Sequence, residues 1–550
     1  MQLARPDRLW ATPPSELRFG WTVLPYTRRG AAGREAPEKG HLAEVLSDAD
    51  FDRSEEPGVW RFVRATRAHV IVDAEAYFDL MQQAMLKARQ RILLIGWDFD
   101  TRIHLTHGRR WWQKAWNREF PSRLGDFIPW LSRHRPGLEI RILKWGIGAL
   151  EMLGRGSMTL DLLRWVPRKR INLEFDNVHP VGCSHHQKIV VIDDLLAVCG
   201  GIDMTDRRWD TREHLEDDPR RKRPGGARYG PWHDMTMMIE GPAAGALDEL
   251  ARDRWRRAGH DPLEPPRPSE ASAWPDKLEA EFENVEIGIA RTRAEYDGDP
   301  GVQEIEELFR RQIGRAKKFI YAESQYFASR TVAEAICERL ASPEPPEIVI
   351  VNPETADGWV ESTVMDPARA RLVQAIRKAD RHGRFHIFMP YSGETPIYVH
   401  AKLLIVDDEI LRIGSANFNN RSMGLDSECD VFIDCARQAN SHCGDAIRAL
   451  RYSLLAEHCG LEEGEVEPLL DRAGSMAEMI ASLDKRHRHL RPFEVPELSD
   501  LEIEMADRQV LDPEEPAEMF TIRPPRRGLL RRGGLLARAI NRVKRKRRAQ

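Results

Sequence analysis

Two stretches decide how the chain folds: His185-His186-Gln187-Lys188-Ile189-Val190-Val191-Ile192-Asp193 and His400-Ala401-Lys402-Leu403-Leu404-Ile405-Val406-Asp407. Each places a histidine and a lysine two residues apart, ahead of an aliphatic run that ends in aspartate. Counting from His186 and His400, a glycine follows at 14, an Asp or Asn at 17 and an arginine at 21 in both copies, which pairs Gly200, Asp203 and Arg207 with Gly414, Asn417 and Arg421. A single His-x-Lys-x4-Asp match arises by chance somewhat less than about once in a chain this long. Two copies in register mark an internal repeat.

The repeat extends outward from this centre. Upstream, the strand-like run Arg91 to Asp98 parallels Lys318 to Gln325, and each follows a segment of helical period, Asp73 to Gln90 and Val302 to Lys317. Further strand-like runs match across the halves: Glu139 to Trp145 and Ile171 to Phe175 against Glu347 to Asn352 and Phe385 to Met389. Downstream, His233 to Glu240 matches Ser427 to Asp434. Strands alternating with helical patterns predict an α/β chain in two halves, each a mixed β-sheet with α-helices on both faces. The Pro-rich stretch from His260 to Ser269 separates them. The expected organisation is a lead segment at 1–59, a first repeat at 60–260, a connector at 261–284, a second repeat at 285–495, and a linker with a basic tail at 496–550.

Composition narrows the class. With 550 residues and 41% hydrophobic residues, the chain is too long for one small module and too apolar for wholesale disorder. The strongest apolar runs are strand-sized, far short of the roughly 18 residues a membrane span needs, and Met1 to Trp10 shows no secretory pattern. Seven cysteines without C-x-x-C spacing point away from a disulfide framework and from a cysteine zinc site, and towards a reducing cytoplasm. The net charge of -4 hides an asymmetry: residues 521–550 hold 12 Arg and Lys and no acid, leaving the first 520 at -16.

The two His-x-Lys pairs define the chemistry. In a β-strand residues two apart share a face, so each motif strand is expected to set His186 beside Lys188 and His400 beside Lys402. Asp193 and Asp407 complete the motif; as the first members of Asp-Asp turns they read as structural more than chemical, although they are grouped with its catalytic residues. Two imidazoles and two ammonium groups suit a phosphodiester. The lysines neutralise the non-bridging oxygens, one neutral histidine attacks phosphorus, and the other, protonated, serves the leaving oxygen, with no metal or other cofactor required. Histidines in opposite protonation states each need a carboxylate to fix tautomer and charge, and Asp234 and Glu428 are the candidates. Asn417, Ser415, Gly201 and Asp203, around the repeated Gly and Asx positions, are the candidates for phosphate contact or support.

These residues carry a resemblance. The chain is similar to the phospholipase D superfamily, known by its paired His-x-Lys-x4-Asp motifs, from about His69 to Asp434. It more closely resembles the phosphatidylcholine-type phospholipases D of eukaryotes and their bacterial relatives. The matching strings are Gly200-Gly-Ile-Asp-Met-Thr-Asp-Arg-Arg-Trp-Asp-Thr211, Pro231-Trp-His-Asp234, Glu240-Gly-Pro-Ala-Ala244 and Ile413-Gly-Ser-Ala-Asn-Phe-Asn-Asn-Arg-Ser-Met423. The resemblance implies a bilobal, pseudo-twofold fold with the active site at the interface between halves. It implies crossed support as well, Glu428 orienting His186 and Asp234 orienting His400, with His186 as nucleophile and His400 as general acid and base. Ser324 and Ala401 depart from the usual residues of the related phospholipases. The implied substrate is a glycerophospholipid cleaved at its distal phosphodiester, with transfer of the phosphatidyl group to water or an alcohol. The alternatives are a cardiolipin-synthase-like phosphatidyltransferase and a nuclease of the same superfamily. Nucleic acid is not the expected partner, because a body of charge -16 repels a polyanion.

Two segments lie outside this frame. In the tail, Leu536, Ile540 and Val543 form an apolar stripe within basic surroundings, the pattern of a peripheral contact with anionic membrane. Residues 211–226, dense in both charges, read either as a lid or as an ordinary surface loop, with Asp217-Asp218 as solvated charge.

Overall fold

The protein is described from a computed structural model for residues 54–106, 120–146, 156–269, 271–507, 509 and 512–514. The first half supplies β1 (Arg61–Val72), β2 (Arg91–Gly96), β3 (Glu139–Trp145), β4 (Ile171–Asp176), β5 (Ile189–Ile192), β6 (Leu196–Gly200) and β7 (Met235–Glu240). The second repeats the series with β8 (Phe282–Arg293), β9 (Phe319–Ser324), β10 (Glu347–Val351), β11 (Phe385–Ser392), β12 (Lys402–Val406), β13 (Ile410–Gly414) and β14 (Glu428–Asp434). In each half the first three strands after the long one pair in parallel, and the last three join antiparallel.

The halves meet along their two longest strands. β1 lies antiparallel to β8, with Ala65 opposite Val285, and each is flanked by the last strand of its own half, β7 and β14. The sheet therefore runs without a break in the order β4-β3-β2-β5-β6-β7-β1-β8-β14-β13-β12-β9-β10-β11. Sequence patterning gave one sheet per half; pairing through β1 and β8 joins them into one. β1 does not stand out as apolar, because Arg61, Arg64 and Arg67 interrupt it.

Helices cover the outer faces. In α1 (Ala74–Lys87) the residues Tyr77, Phe78, Met81 and Met85 recur at helical spacing, and all are buried against the first-half sheet. The second half has the equivalent α5 (Glu304–Arg315), after α2 (Leu124–His134), α3 (Ser157–Trp165) and α4 (Pro242–Arg257), and continues with α6 (Arg330–Leu340), α7 (Trp359–Ala379) and α8 (Gly444–Cys459). A third core draws on both halves, bringing Val191, Ala197 and Met237 together with Ile405, Leu411 and Val431. Each of the larger side chains among these contributes about 1.5–3 kcal/mol on burial. Both halves are thereby held rigidly around the segments that precede β5 and β12. The connector at 260–269 carries neither helix nor strand.

Asp193 and Asp407 belong to this framework. Asp193-Asp194 and Asp407-Asp408 all have positive φ and turn β5 into β6 and β12 into β13. The Asp193 carboxylate accepts the backbone N–H groups of Arg89, Gln90 and Arg91, each at 2.7 Å. Asp407 does the same for Lys317, Lys318 and Phe319 at 2.7–2.8 Å. Each aspartate caps the start of a neighbouring strand, at the end of its own strand away from the histidine. Both carboxylates are thus engaged with backbone N–H groups, which is the structural place their turn positions predict.

Candidate active site

Two short parallel contacts cross between the halves and position the histidines. Trp232 and His233 pair with Tyr398 and Val399, and the His400 N–H donates to His233 O at 2.7 Å. In the mirrored contact His185 bridges Ser427, and the His186 N–H donates to Ser427 O at 2.9 Å. The next residues after His233 and Ser427 are Asp234 and Glu428. Each acid is thus delivered beside the histidine of the opposite half. His186, Lys188 and His400 stand at the mouth of the sheet, just ahead of β5 and β12, while Lys402 is the first residue of β12 and pairs with Ser324.

His186 Nδ1 lies 3.0 Å from Glu428 Oε2 and 3.0 Å from Ser415 O. A carbonyl only accepts, so Nδ1 carries the hydrogen and Nε2 is left with its lone pair. Glu428 is held in turn by the hydroxyls of Ser415, at 2.5 Å, and Ser422, at 2.7 Å. His400 Nδ1 lies 2.6 Å from Asp234 Oδ2, while Asp234 Oδ1 accepts the Met235 N–H at 2.8 Å. Gly201 packs on that carboxylate so closely that a Cβ there would stand 2.0 Å from Asp234 Oδ1. Only glycine leaves the acid in place.

The lysines flank the imidazoles. Lys188 Nζ donates to His186 O at 2.7 Å and stands 3.5 Å from Asp203 Oδ2. Lys402 Nζ donates to His400 O and, at 3.3 Å, to Gln325 Oε1, which also takes the Asn417 amide at 3.4 Å. His186, Lys188, Asp203, Asn417 and His400 line one cavity of about 340 Å³, together with Trp97, Trp145, Trp232 and Tyr326. Among the support candidates, Ser415 and Gly201 hold the acids, whereas Asn417 and Asp203 face the cavity.

Burial sets the electrostatics. It is the main cause holding both imidazoles well below the ordinary histidine value, and the Lys188 and Lys402 charges add to it. Burial also lowers Lys402 to about 7, and pushes Asp234 up to about 7 and Glu428 up to about 8. Burial therefore favours the uncharged form of both partners in each histidine–acid pair. An entering anion offsets the surrounding positive charge and favours an imidazolium, as a general acid requires.

One cavity residue escaped the sequence analysis. The Arg208 guanidinium lies 4.4 Å over the Trp232 ring, and among the described residues it has no carboxylate partner. Its neighbour Arg207, which the repeat offset singled out, reaches Asp357 at 3.4 Å instead. Only the doubled arginine hinted at this division. The segment 211–226 is tied down: Arg221 donates to Asp210 at 2.9 Å and to two carbonyls of the loop, while Asp217 and Asp218 pair with Arg228 and Arg220.

Residues 309–448 match the family described as cardiolipin synthase, PLD-like domain. Phospholipase D alpha 4 of Arabidopsis thaliana is 23% identical, across 81% of this chain and 71% of its own length. Phospholipase D alpha 1 of Nicotiana tabacum is 26% identical, across 72% and 66% respectively. The chain spans about two thirds of the length of these curated relatives. Among solved structures, the phosphatidylserine synthase of Haemophilus influenzae Rd KW20 aligns with 74% of this chain and 90% of its own at 13% identity, with a TM-score of 0.49.

Proposed function

We propose that the chain, which is similar to phospholipases D, acts as a member of that superfamily: it cleaves the distal phosphodiester of glycerophospholipids and passes the phosphatidyl group to water or an alcohol. One observation carries the reading: two histidines, each paired with an acid from the other half, face a single cavity that holds cationic side chains.

The steps assign a role to each residue. His186 Nε2 attacks phosphorus in line, forming a P–N bond as the bond to the headgroup oxygen breaks. His400, protonated and facing Asp234, gives its proton to that oxygen. Water or an alcohol then attacks the phosphohistidine, losing its proton to His400 as the P–N bond breaks. Lys188, Lys402 and Arg208 neutralise the non-bridging oxygens throughout. Asn417 and Asp203 border the phosphate site, while Ser415 and Gly201 hold the acids in position. On this reading residues 60–260 and 285–495 are two copies of one unit, each incomplete without the other.

No helix among the described residues is long and apolar enough to cross a membrane. The basic tail at 521–550 lies outside the described residues; its composition supports a peripheral contact with anionic bilayers from the cytoplasmic side. Truncation after Phe520 is expected to weaken sedimentation with anionic liposomes, and unchanged sedimentation would remove the tail from this role.

The deciding experiment incubates the protein with phosphatidylcholine and a primary alcohol. Phosphatidylalcohol is the expected product, and it disappears in His186→Ala. Turnover of nucleic acid alone, or full activity of His186→Ala, would overturn the reading.

A further inference from the structure

Behind the acid that faces His400 lies a buried group of imidazoles and carboxylates with no part in phosphodiester chemistry. Asp73 follows β1, His214 lies in the charged loop, His233 precedes Asp234, and Glu457 belongs to α8; none is more than 4% exposed. We infer that these four residues form a binding site for one divalent cation of the zinc class, held by two imidazole nitrogens and two carboxylate oxygens.

Each of the four residues offers one donor atom to a common space, and these atoms lie within 4.8 Å of one another. His233 Nδ1 lies 2.8 Å from Glu457 Oε1 and 3.2 Å from Asp73 Oδ1. His214 Nε2 lies 3.0 Å from Glu457 Oε1 and 3.4 Å from Asp73 Oδ2. Tetrahedral zinc, with bonds of about 2.0–2.1 Å, sets its donor atoms about 3.3 Å apart. Two of the atoms aimed into this space, Asp73 Oδ2 and His233 Nδ1, make no well-formed hydrogen bond among the described residues. Asp73 and His214 both hold positive φ, uncommon for non-glycine residues and concentrated where a site fixes its own geometry.

The surroundings orient both rings. His214 Nδ1 meets Asp210 Oδ2 at 2.9 Å, and His233 Nε2 meets Glu323 Oε2 at 2.7 Å. A carboxylate on the outward nitrogen directs the lone pair of the inward one towards a metal. Glu457 keeps its second oxygen on Arg212 at 2.5 Å, so one oxygen remains for the cation. Two anionic oxygens balance the ion's charge, and the imidazoles select zinc-like ions over magnesium or calcium. The site joins four segments directly behind the active site, because the Asp234 N–H reaches Asp73 Oδ1 at 3.2 Å.

Cobalt(II) tests this on the full-length protein stripped of metal with a chelator. One equivalent is expected to bind, with the visible absorption of tetrahedral cobalt, and zinc is expected to displace it. His214→Gln and Glu457→Gln are expected to lower bound metal at least tenfold, while His386→Gln retains it. X-ray absorption of the wild-type cobalt protein is expected to show two imidazole and two oxygen donors. That measurement decides the matter even if the cluster variants do not fold. A folded wild type with no tetrahedral signal, a folded His214→Gln with full stoichiometry, or sulfur among the donors would overturn the assignment. None of these readouts uses lipid turnover, so their failure is distinct from failure of the phosphodiesterase reading.

Discussion

Asp234 Oδ2 stands 2.6 Å from His400 Nδ1, although 166 residues separate the two in the chain. An asparagine has nearly the same shape but cannot stabilise an imidazolium. Asp234→Asn is expected to lower kcat about 100- to 10,000-fold, with KM within about threefold. Steady-state kinetics on a short-chain phosphatidylcholine measures this; a loss below about threefold would refute the role given to the acid.

Gly201 presses on the same carboxylate. Gly201→Ala leaves no room for Asp234 Oδ1 and must turn the acid away from His400. Activity is expected to fall at least tenfold in protein whose circular dichroism is unchanged. Wild-type kinetics in that variant would show that the carboxylate has another resting place.

Arg208 offers its charge to the cavity while leaning on Trp232. Arg208→Gln is expected to reduce kcat/KM about 10- to 100-fold, equivalent to about 1.4–2.7 kcal/mol of lost phosphate stabilisation. Kinetics indistinguishable from wild type would mean that the two lysines suffice.

The capping aspartates predict a loss of the opposite kind. Asp193→Ala and Asp407→Ala each leave three backbone N–H groups at the start of a strand without their acceptor, at a cost of about 2–4 kcal/mol. Urea denaturation should report that drop, while kcat of the folded protein at low temperature stays near wild type. A large fall in kcat without loss of stability would return these residues to the chemistry.

The pH profile follows from burial. Asp234, pushed up to about 7, ionises as pH rises and so gains the charge that supports His400. Lys402, lowered to about 7, is charged below that value and loses its charge above it. The profile of kcat/KM is therefore expected to be a narrow bell near neutrality. Lys402→Arg keeps its charge and is expected to alter the alkaline limb, leaving the part set by loss of the His400 proton, while the acid limb stays in place. A wild-type profile flat from about pH 6 to about pH 9 would contradict this assignment.

Much of this arrangement was legible because the chain states it twice. The offsets from His186 and His400 fixed the repeat, and the acids of Pro231-Trp-His-Asp234 and Ser427-Glu428 stood at matching places. What escaped depends on contacts between distant segments. The arginines of β1 masked a central strand, since their stems pack while their charges find partners such as Glu249 and Glu240. Residues 211–226 read as a lid or a surface loop with Asp217-Asp218 as solvated charge, yet Asp218 and Arg221 are buried and His214 is fully so. Asp73, His214, His233 and Glu457 share no local pattern at all. Only the folded chain assembles them.

The crossed acids also govern what a break in the backbone would do. A cut in the connector at 260–269 leaves His186 on one fragment and Glu428 on the other, with His400 and Asp234 divided the same way. Neither piece retains a complete reaction centre. Activity regained on mixing would be second order in fragment concentration, and intact covalent linkage replaces that encounter with a permanently high local concentration of each half around the other.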